Sequence, residues 1–402
     1  MKRLIAWSLA ALAALVVVAC SNGFSAGGSK PDAPTNVSVT PGDSSAVVSW
    51  NMQDGIEYWV FIAQAPSIST DNWTTLPEAR VVRNAVSPQI IAGLTNGKIY
   101  AFTVNGRRDD GPGGSGSPSI ATIPRVAGLT WNAGTPLATS SLNGLHYLGL
   151  TIPGVFTAVG NGGAIFQSSD AVSWTPVTSG VTNDLNAVTY GQGRFIVVGK
   201  GGFMLSSLDN VTYTSIASGT TNDLLSVSIG VNGLVAVGAG GTIVHSTDGG
   251  SWNGVTSGTT QTLYAVTFSN NAWYAVGAGG TMLTSADATT WTAVNSGTTA
   301  DLHGFAWNGT TYVAAGSGGT IITSPDAVTW TPVTKVTTRD LTSVTAGSQF
   351  VAVGAGGTIL SSVDAINWSV VSSPTTADLN AVLFGLTGFS AVGVGGVNLT
   401  SF

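Results

Sequence analysis

A single cysteine, Cys20, serves all 402 residues, so neither a disulfide framework nor a multi-cysteine metal site holds this chain together. Charge is nearly as scarce: Asp, Glu, Lys and Arg together make up 8% of the residues, for a formal net charge of −6. Nowhere do Lys and Arg cluster into the basic patch that phosphate backbones require, which argues against nucleic acid as a partner. Glu is absent from residue 127 onward, and the charged helix formers Glu, Lys and Arg are rare throughout, so long helices are not expected. After Val18 no apolar run is long enough to span a bilayer as a helix.

What remains is a chain of 54 Gly, 12 Trp and 43% hydrophobic residues. That mixture favours short strands joined by tight turns, with enough apolar mass to bury a core. The expected fold class is all-β, in two or three domains.

The first residues read as an address. Met1-Lys2-Arg3 is positive, Leu4 to Val18 is apolar but for Ser8, and small residues follow, so residues 1–19 are expected to be a signal peptide. Val17-Val18-Ala19-Cys20 resembles a bacterial lipobox, with Val17 where Leu is usual. The resemblance implies a diacylated Cys20, attachment to the membrane through that lipid, and an extracytoplasmic place in a bacterial cell envelope. Ser21 after the cysteine resembles outer-membrane sorting where the envelope has two membranes. Residues 20–30 are rich in Gly and Ser and read as a flexible tether.

Residues 31–124 hold seven strand-like runs separated by turn residues, with inward alternation clearest at Tyr100, Phe102 and Val104. Trp50, Leu94 and Tyr100, with the turn Gly93 to Lys98 between the last two, resemble a fibronectin type III module. There the Leu seals the core edge and the Tyr hydroxyl bonds back to the turn. Such a module is expected to act as a spacer, and Gly106-Arg107-Arg108-Asp109-Asp110 reads as a solvated loop before its last strand.

Internal repeats organise residues 127–402. A Gly-Gly pair ends at Gly163, Gly202, Gly241, Gly280, Gly319, Gly357 and Gly396, in steps of 38 or 39. A Leu column runs through Leu142, Leu185, Leu224, Leu263, Leu302, Leu341 and Leu379. An aromatic column runs through Trp131, Trp174, Tyr213, Trp252, Trp291, Trp330 and Trp368. Three columns of seven predict a seven-bladed β-propeller of four-stranded blades. In the second blade the strands are expected at Leu185 to Tyr190, Phe195 to Gly199, Phe203 to Ser207 and from Tyr213. The last blade ends one strand short, and Leu129 to Ala133 is expected to complete it and latch the ring.

Six turns read Ser-x-Asp before the aromatic, at Asp170, Asp209, Asp248, Asp287, Asp326 and Asp364. They resemble the Asp-box of sialidases and of the photosystem II stability/assembly factor family, shortened by one residue before the aromatic. The resemblance implies a structural turn, its carboxylate capping N–H groups, away from any ligand face.

Catalysis finds little to work with. The eleven Asp of the repeat region comprise those six and a second column, Asp184, Asp223, Asp301, Asp340 and Asp378, just before the column Leu. A glycosidase needs two differently tuned carboxylates, and none here stands outside a column. His146, His245 and His303 fall at three different repeat positions, so neither a metal site nor another cofactor is expected, and the protein is not expected to be an enzyme. The rim Asp column is expected to cap loop turns rather than bind cations.

The residue after each column Leu is Asn143, Asn186, Leu225, Tyr264, His303, Thr342 and Asn380. Tyr264 and His303 break the Asn/Thr pattern, and Lys335 and Arg339 stand in the next loop, where neighbouring repeats are neutral. These four form the candidate ligand face. The expected function is an envelope-anchored, non-catalytic binding or scaffold lipoprotein, a monomer, presenting its propeller to an envelope or extracellular protein or to a glycan. The alternatives are an assembly factor for a membrane complex and, disfavoured by the missing Glu and Arg, a carbohydrate-active enzyme.

Overall fold

The computed structural model describes residues 30–108, 111–149, 154–385 and 388–402. The leader, Cys20, all of the tether but Lys30, and Asp109-Asp110 lie outside the described residues.

Each of the seven runs in residues 31–124 carries a strand: β1 (Ser38–Gly42), β2 (Ser45–Ser49), β3 (Glu57–Ala63), β4 (Arg80–Ala85), β5 (Gln89–Ala92), β6 (Tyr100–Arg107) and β7 (Ile120–Thr122). They form two antiparallel sheets, ordered β1-β2-β5 and β4-β3-β6-β7. One core lies between them, with Val48, Trp50, Ile91 and Leu94 against Tyr58, Val60, Ile62, Tyr100, Phe102 and Val104. The Thr95 N–H donates to the Tyr100 hydroxyl at 3.2 Å, which donates in turn to Glu78. The ring thereby fills the core edge without burying an unpaired O–H.

Gly106 and Arg107 are not loop residues. Both belong to β6, where Glu57 pairs with Arg107. The Arg107 guanidinium lies 3.6 Å from the centre of the Trp59 ring, with Arg83 at 4.5 Å. Stacking on an aromatic face gives this cation a fixed place that its sequence neighbours do not reveal. Burial, more than the nearby Arg83 charge, lowers its pKa, while Glu57 opposes the shift.

From residue 132 to 401 the described residues form seven four-stranded antiparallel sheets. Their innermost strands are Leu142–Leu148, Leu185–Gly191, Leu224–Gly230, Leu263–Ser269, Leu302–Trp307, Leu341–Ala346 and Leu379–Gly385. Each packs against the next, and the last packs against the first, so the sheets close a ring. All seven column Leu side chains are fully buried, each worth about 1.5–3 kcal/mol of apolar transfer. Close approach of the inner strands demands small residues two positions beyond each Leu, such as Ala187, Ala265 and Ala381. At Gly304 a Cβ would stand 2.8 Å from the Val344 nitrogen of the neighbouring strand.

The second sheet shows how closely the repeat dictates its strands: Leu185–Gly191, Arg194–Gly199, Met204–Ser207 and Thr214–Ser215. Its outer strand starts after Tyr213 because that ring turns inward to close the preceding turn. In the Ser-x-Asp turns the Asp Oδ1 accepts three hydrogen bonds. At Asp287 they come from Ser285 Oγ (3.1 Å) and from the N–H groups of Thr289 (2.8 Å) and Thr290 (2.7 Å). The same set recurs at Asp170, Asp209, Asp248, Asp326 and Asp364. These turn N–H groups hold Asp209, Asp248, Asp287, Asp326 and Asp364 below the usual carboxylate range. Their contribution to stability is present above the unfolded carboxylate pKa near 4 and fades as the pH falls below it. The residue after the Asp adopts a left-handed conformation, and in four of the six turns its carbonyl accepts the indole N–H of the column Trp, at 3.1 Å from Trp291 to Ala288.

The seventh sheet is assembled from both ends of the region. Asn132–Ala133 pairs with Asn398–Ser401 as its outer strand, shorter than the five residues expected because Gly128 to Thr130 are spent on a turn. That turn, split between the two ends, keeps the serine and tryptophan contacts of the other six without their Asp. Ser401, 39 residues after Ser362, accepts the Gly128 N–H on its Oγ at 2.8 Å, as Ser285 does for Ala288 at 3.0 Å. Trp131 donates its indole N–H to the Gly128 carbonyl at 3.1 Å, and Arg125 Nε donates to the Phe402 carbonyl at 2.7 Å.

Candidate binding face at the mouth of the ring

The Gly-Gly turns and the starts of the inner strands share one face of the ring. The rim Asp column joins them across sheet boundaries. Asp184, Asp223, Asp301, Asp340 and Asp378 accept on Oδ1 the N–H groups of Gly162, Gly201, Gly279, Gly318 and Gly356, each in the preceding sheet, at 2.7–3.0 Å. The two remaining positions of the column are Ser141 and Thr262. The carboxylates therefore do cap turns, but turns of the neighbouring sheet. They are inter-sheet ties.

A second set of ties comes from the residue after the column Leu. In all seven sheets the pairing register shifts at this residue, so each is a β-bulge. A bulge re-aims one side chain out of the ordinary alternation. Here it aims at the next sheet. Asn143 donates to the Leu185 carbonyl at 2.9 Å, Asn186 to Leu224 at 2.8 Å and Asn380 to Leu142 at 2.8 Å. Thr342 Oγ1 donates to Leu379. The Asn380 bond spans the closure between the seventh and first sheets.

Leu225, Tyr264 and His303 occupy the other three bulges, in three consecutive sheets. Among the described residues no side chain donates to the corresponding carbonyls of Leu263, Leu302 and Leu341. The Tyr264 and His303 rings instead meet each other, with centroids 4.6 Å apart, and His303 Nε2 lies 3.1 Å from Ser317 Oγ in its own sheet. Burial raises the Tyr264 pKa, helped by the Asp301 carboxylate facing its hydroxyl. Burial lowers that of His303 against the opposing pull of Asp301 and Asp340, keeping the ring neutral at physiological pH.

Lys335 continues the arc, its Nζ donating to the Gly318 carbonyl at 2.9 Å. Arg339 lies over the next turn, its guanidinium covering the place where a Cβ on Gly356 would stand. The four candidate residues thus line one continuous segment: Tyr264 against His303, His303 against Ser317, Lys335 over Gly318 and Arg339 over Gly356. Leu225 belongs with them. Position in the bulge column was the available signal, but Leu beside a Leu column looks like core until the bulge is seen.

The other histidines lie elsewhere. His245 bonds through Nε2 to the Asn232 carbonyl at 2.8 Å. His146 stands edge-on to Phe195, with its Nε2 sealed from solvent and without a hydrogen-bond partner among the described residues. Burial lowers its pKa to about 4. An unfolded His takes up a proton near pH 6.5 while the folded ring resists until about pH 4. Stability is therefore full above pH 6.5 and falls as pH drops through that window, by roughly 2–3 kcal/mol. His146→Leu should flatten the thermal midpoint between pH 6.5 and 4 relative to the parent. An unchanged slope would assign the acid sensitivity to other groups.

Among the described residues no three His, Cys, Asp or Glu side chains converge as metal ligands. No protein-family model matches the chain, and no curated protein matches it. Solved structures do. YCF48 from Cyanidioschyzon merolae aligns with a TM-score of 0.56 at 18% identity, over 67% of this chain and 98% of that one. YCF48 bound to D1 peptide aligns with a TM-score of 0.56 at 17% identity, over 67% of this chain and 94% of that one. The WD40 β-propeller domain of Doa1 aligns with a TM-score of 0.56 at 12% identity, over 68% of this chain and 97% of that one. At such identities the likeness speaks to fold alone, and the fold is that of a β-propeller.

Proposed function

We propose that this chain is a non-catalytic, envelope-anchored binding protein that captures a protein partner on the mouth of a seven-bladed propeller. A fibronectin type III module carries the propeller, and a lipid on Cys20 tethers both. The observation that carries the reading is the arc from Tyr264 to Arg339, where two side chains that elsewhere tie sheet to sheet are replaced by aromatic rings and two cations stand on the adjoining loop. Closed rings of this kind are rigid, so a surface patch on one is held ready for a partner at little ordering cost. The YCF48 structure with a bound D1 peptide is a propeller of similar fold that engages a polypeptide, which favours protein over glycan here.

Pull-downs from cross-linked membranes of the source cell test the site. A protein recovered with the parent chain should be lost, by at least tenfold, with Tyr264→Ala or Arg339→Ala. Equal recovery with both variants removes the arc from the function, and retention on surface polysaccharide without any protein removes the protein-capture reading. The anchor is tested apart from it: Cys20→Ser should move the chain from the membrane to the soluble fraction.

A further inference from the structure

Two bodies joined by a short linker move relative to each other unless something holds the joint. Between the module of residues 31–124 and the ring, the polar groups of Pro124 to Gly128 are divided between the two sides. Toward the module, the Gly97 N–H donates to the Pro124 carbonyl at 2.8 Å, the Arg125 N–H to the Gly42 carbonyl at 3.2 Å, and the Ala127 N–H to Asp43 Oδ2 at 3.3 Å. Toward the ring, Arg125 Nε donates to the Phe402 carbonyl at 2.7 Å, Gln349 Nε2 to the Ala127 carbonyl at 2.6 Å, and the Gly128 N–H to Ser401 Oγ at 2.8 Å. Ala127 is fully buried within the core of the seventh sheet, and Gln349 is buried too. The module's side of the joint is itself held. Asn96 Nδ2 donates to Asp43 Oδ1 at 2.9 Å, and Asn96 Oδ1 accepts the Ser44 N–H at 2.8 Å.

We propose that residues 124–128 are a rigid strut that makes module and ring one body, with the mouth on the face of the ring opposite the joint. Arg125 and Ala127 carry the argument, because each is bonded to both sides: Arg125 by its N–H to the module and its side chain to the ring, Ala127 by its N–H to the module and its carbonyl to the ring. Rotation about either backbone parts one set of bonds from the other. The position of the joint follows from the strands. Gln349 comes after the inner strand Leu341–Ala346, which starts at the mouth, so the linker seats on the opposite face. In the module it meets the end where β6 begins at Tyr100. The strand finishes at Arg107, about 23 Å further on at the usual rise. Pro31 lies at that far end, against Gly106 and Gly114. A chain held through the residues before Pro31 therefore presents its mouth at a set height and tilt, and a partner engages it without first ordering the joint.

The test is the distance distribution between two spin labels on the full chain carrying Cys20→Ser. One label stands at Asp54→Cys in the module and the other at Ser369→Cys in the ring, both exposed positions. The pair Asn253→Cys/Ser369→Cys, wholly within the ring, sets the width of a rigid pair. Gly-Ser-Gly-Ser inserted between Pro124 and Arg125 sets that of a loose joint. The module–ring distribution should stay within twofold of the ring pair, and the insertion should widen it at least threefold. Asp43→Ala/Arg125→Ala/Gln349→Ala should widen it at least twofold. If that variant fails to fold, Asp43→Ala/Asn96→Ala, which touches no ring side chain, should give the same widening. A parent distribution more than twofold wider than the ring pair refutes the strut. So does an insertion that leaves the width unchanged, or a folded variant as narrow as the parent. None of these readouts involves a partner, so capture at the mouth can fail while the strut stands, and the reverse.

Discussion

Deleting residues 397–402 should abolish the folded ring rather than merely loosen it. The segment contains the third strand of the seventh sheet, which pairs with Gly388–Gly393 on one side and Asn132–Ala133 on the other. Leu399 and Phe402 are buried and Val397 is partly so, worth together roughly 4–8 kcal/mol of apolar transfer. The deletion also strands Asn132–Ala133 without a partner, removes the Ser401 Oγ that receives Gly128, and takes away the Phe402 carbonyl from Arg125. Against a total stability of about 5–15 kcal/mol for an ordinary domain, losses of this size leave no folded ring at room temperature. Thermal unfolding followed by circular dichroism, with size-exclusion chromatography, should show the propeller transition gone. A smaller transition from the separate core of residues 31–124 should survive. A deletion product that melts as one cooperative unit near the parent's midpoint would show that the closing turn adds nothing to the ring. Leu399→Ala is the milder companion, costing about 2–5 kcal/mol through the cavity it leaves.

Most of this architecture is legible in the sequence because each repeat assigns the same task to the same position. Leu185 and its six counterparts fill one kind of site, and Gly201-Gly202 and its counterparts turn one kind of corner, so the columns align over more than two hundred residues with only small changes of spacing. The closing strand is legible for the same reason: Trp131 falls in the aromatic column. What the columns hide is chain connectivity in space. Ser401 extends the turn-serine column, yet its partner Gly128 stands 273 residues earlier, so no local pattern displays the seventh turn. The loop reading of Gly106-Arg107 fails on a similar ground, because the stack of Arg107 on Trp59 is a cross-strand contact between residues 48 apart.

The candidate face is half legible. Tyr264, His303, Lys335 and Arg339 are visible as departures from their columns, and geometry gathers them into one arc. Why the column favours Asn is not visible, since a period-two reading places residue 186 on one face of its own sheet. The bulge rotates it to the neighbouring sheet instead, and only then does Leu225 join Tyr264 and His303 as a missing tie. The rim Asp column hides its purpose likewise. A carboxylate before a strand reads as a local cap, whereas Asp301 reaches Gly279, 22 residues back in the preceding sheet.

The two glycines of each repeat turn should respond to the same substitution in very different degrees. Gly279 and Gly280 have φ values of 62° and 73°, so alanine at either one meets the left-handed penalty of about 1–2 kcal/mol. Around Gly279 nothing lies within 4 Å of an added Cβ, and Gly279→Ala should cost little beyond that penalty. At Gly280 the Cβ would sit 1.9 Å from the Thr298 carbonyl oxygen and 2.8 Å from its carbon. Neither is a side chain that can swing away. The loop carrying Thr298 must move, and with it Ser296, whose hydroxyl donates to the Gly280 carbonyl at 2.6 Å. The Asp301 tie to Gly279 at 2.8 Å strains with the same displacement. Gly280→Ala should therefore cost more than about 4 kcal/mol, in the range reserved for backbone clashes and broken networks. Urea titration of the two variants should separate their midpoints widely with similar slopes. Equal, small losses would mean that the repeat selects its second glycine for φ alone, and that the loop between sheets yields easily. A large loss at Gly280 only would show instead that contact between the glycine turn and the following loop holds adjacent sheets in register.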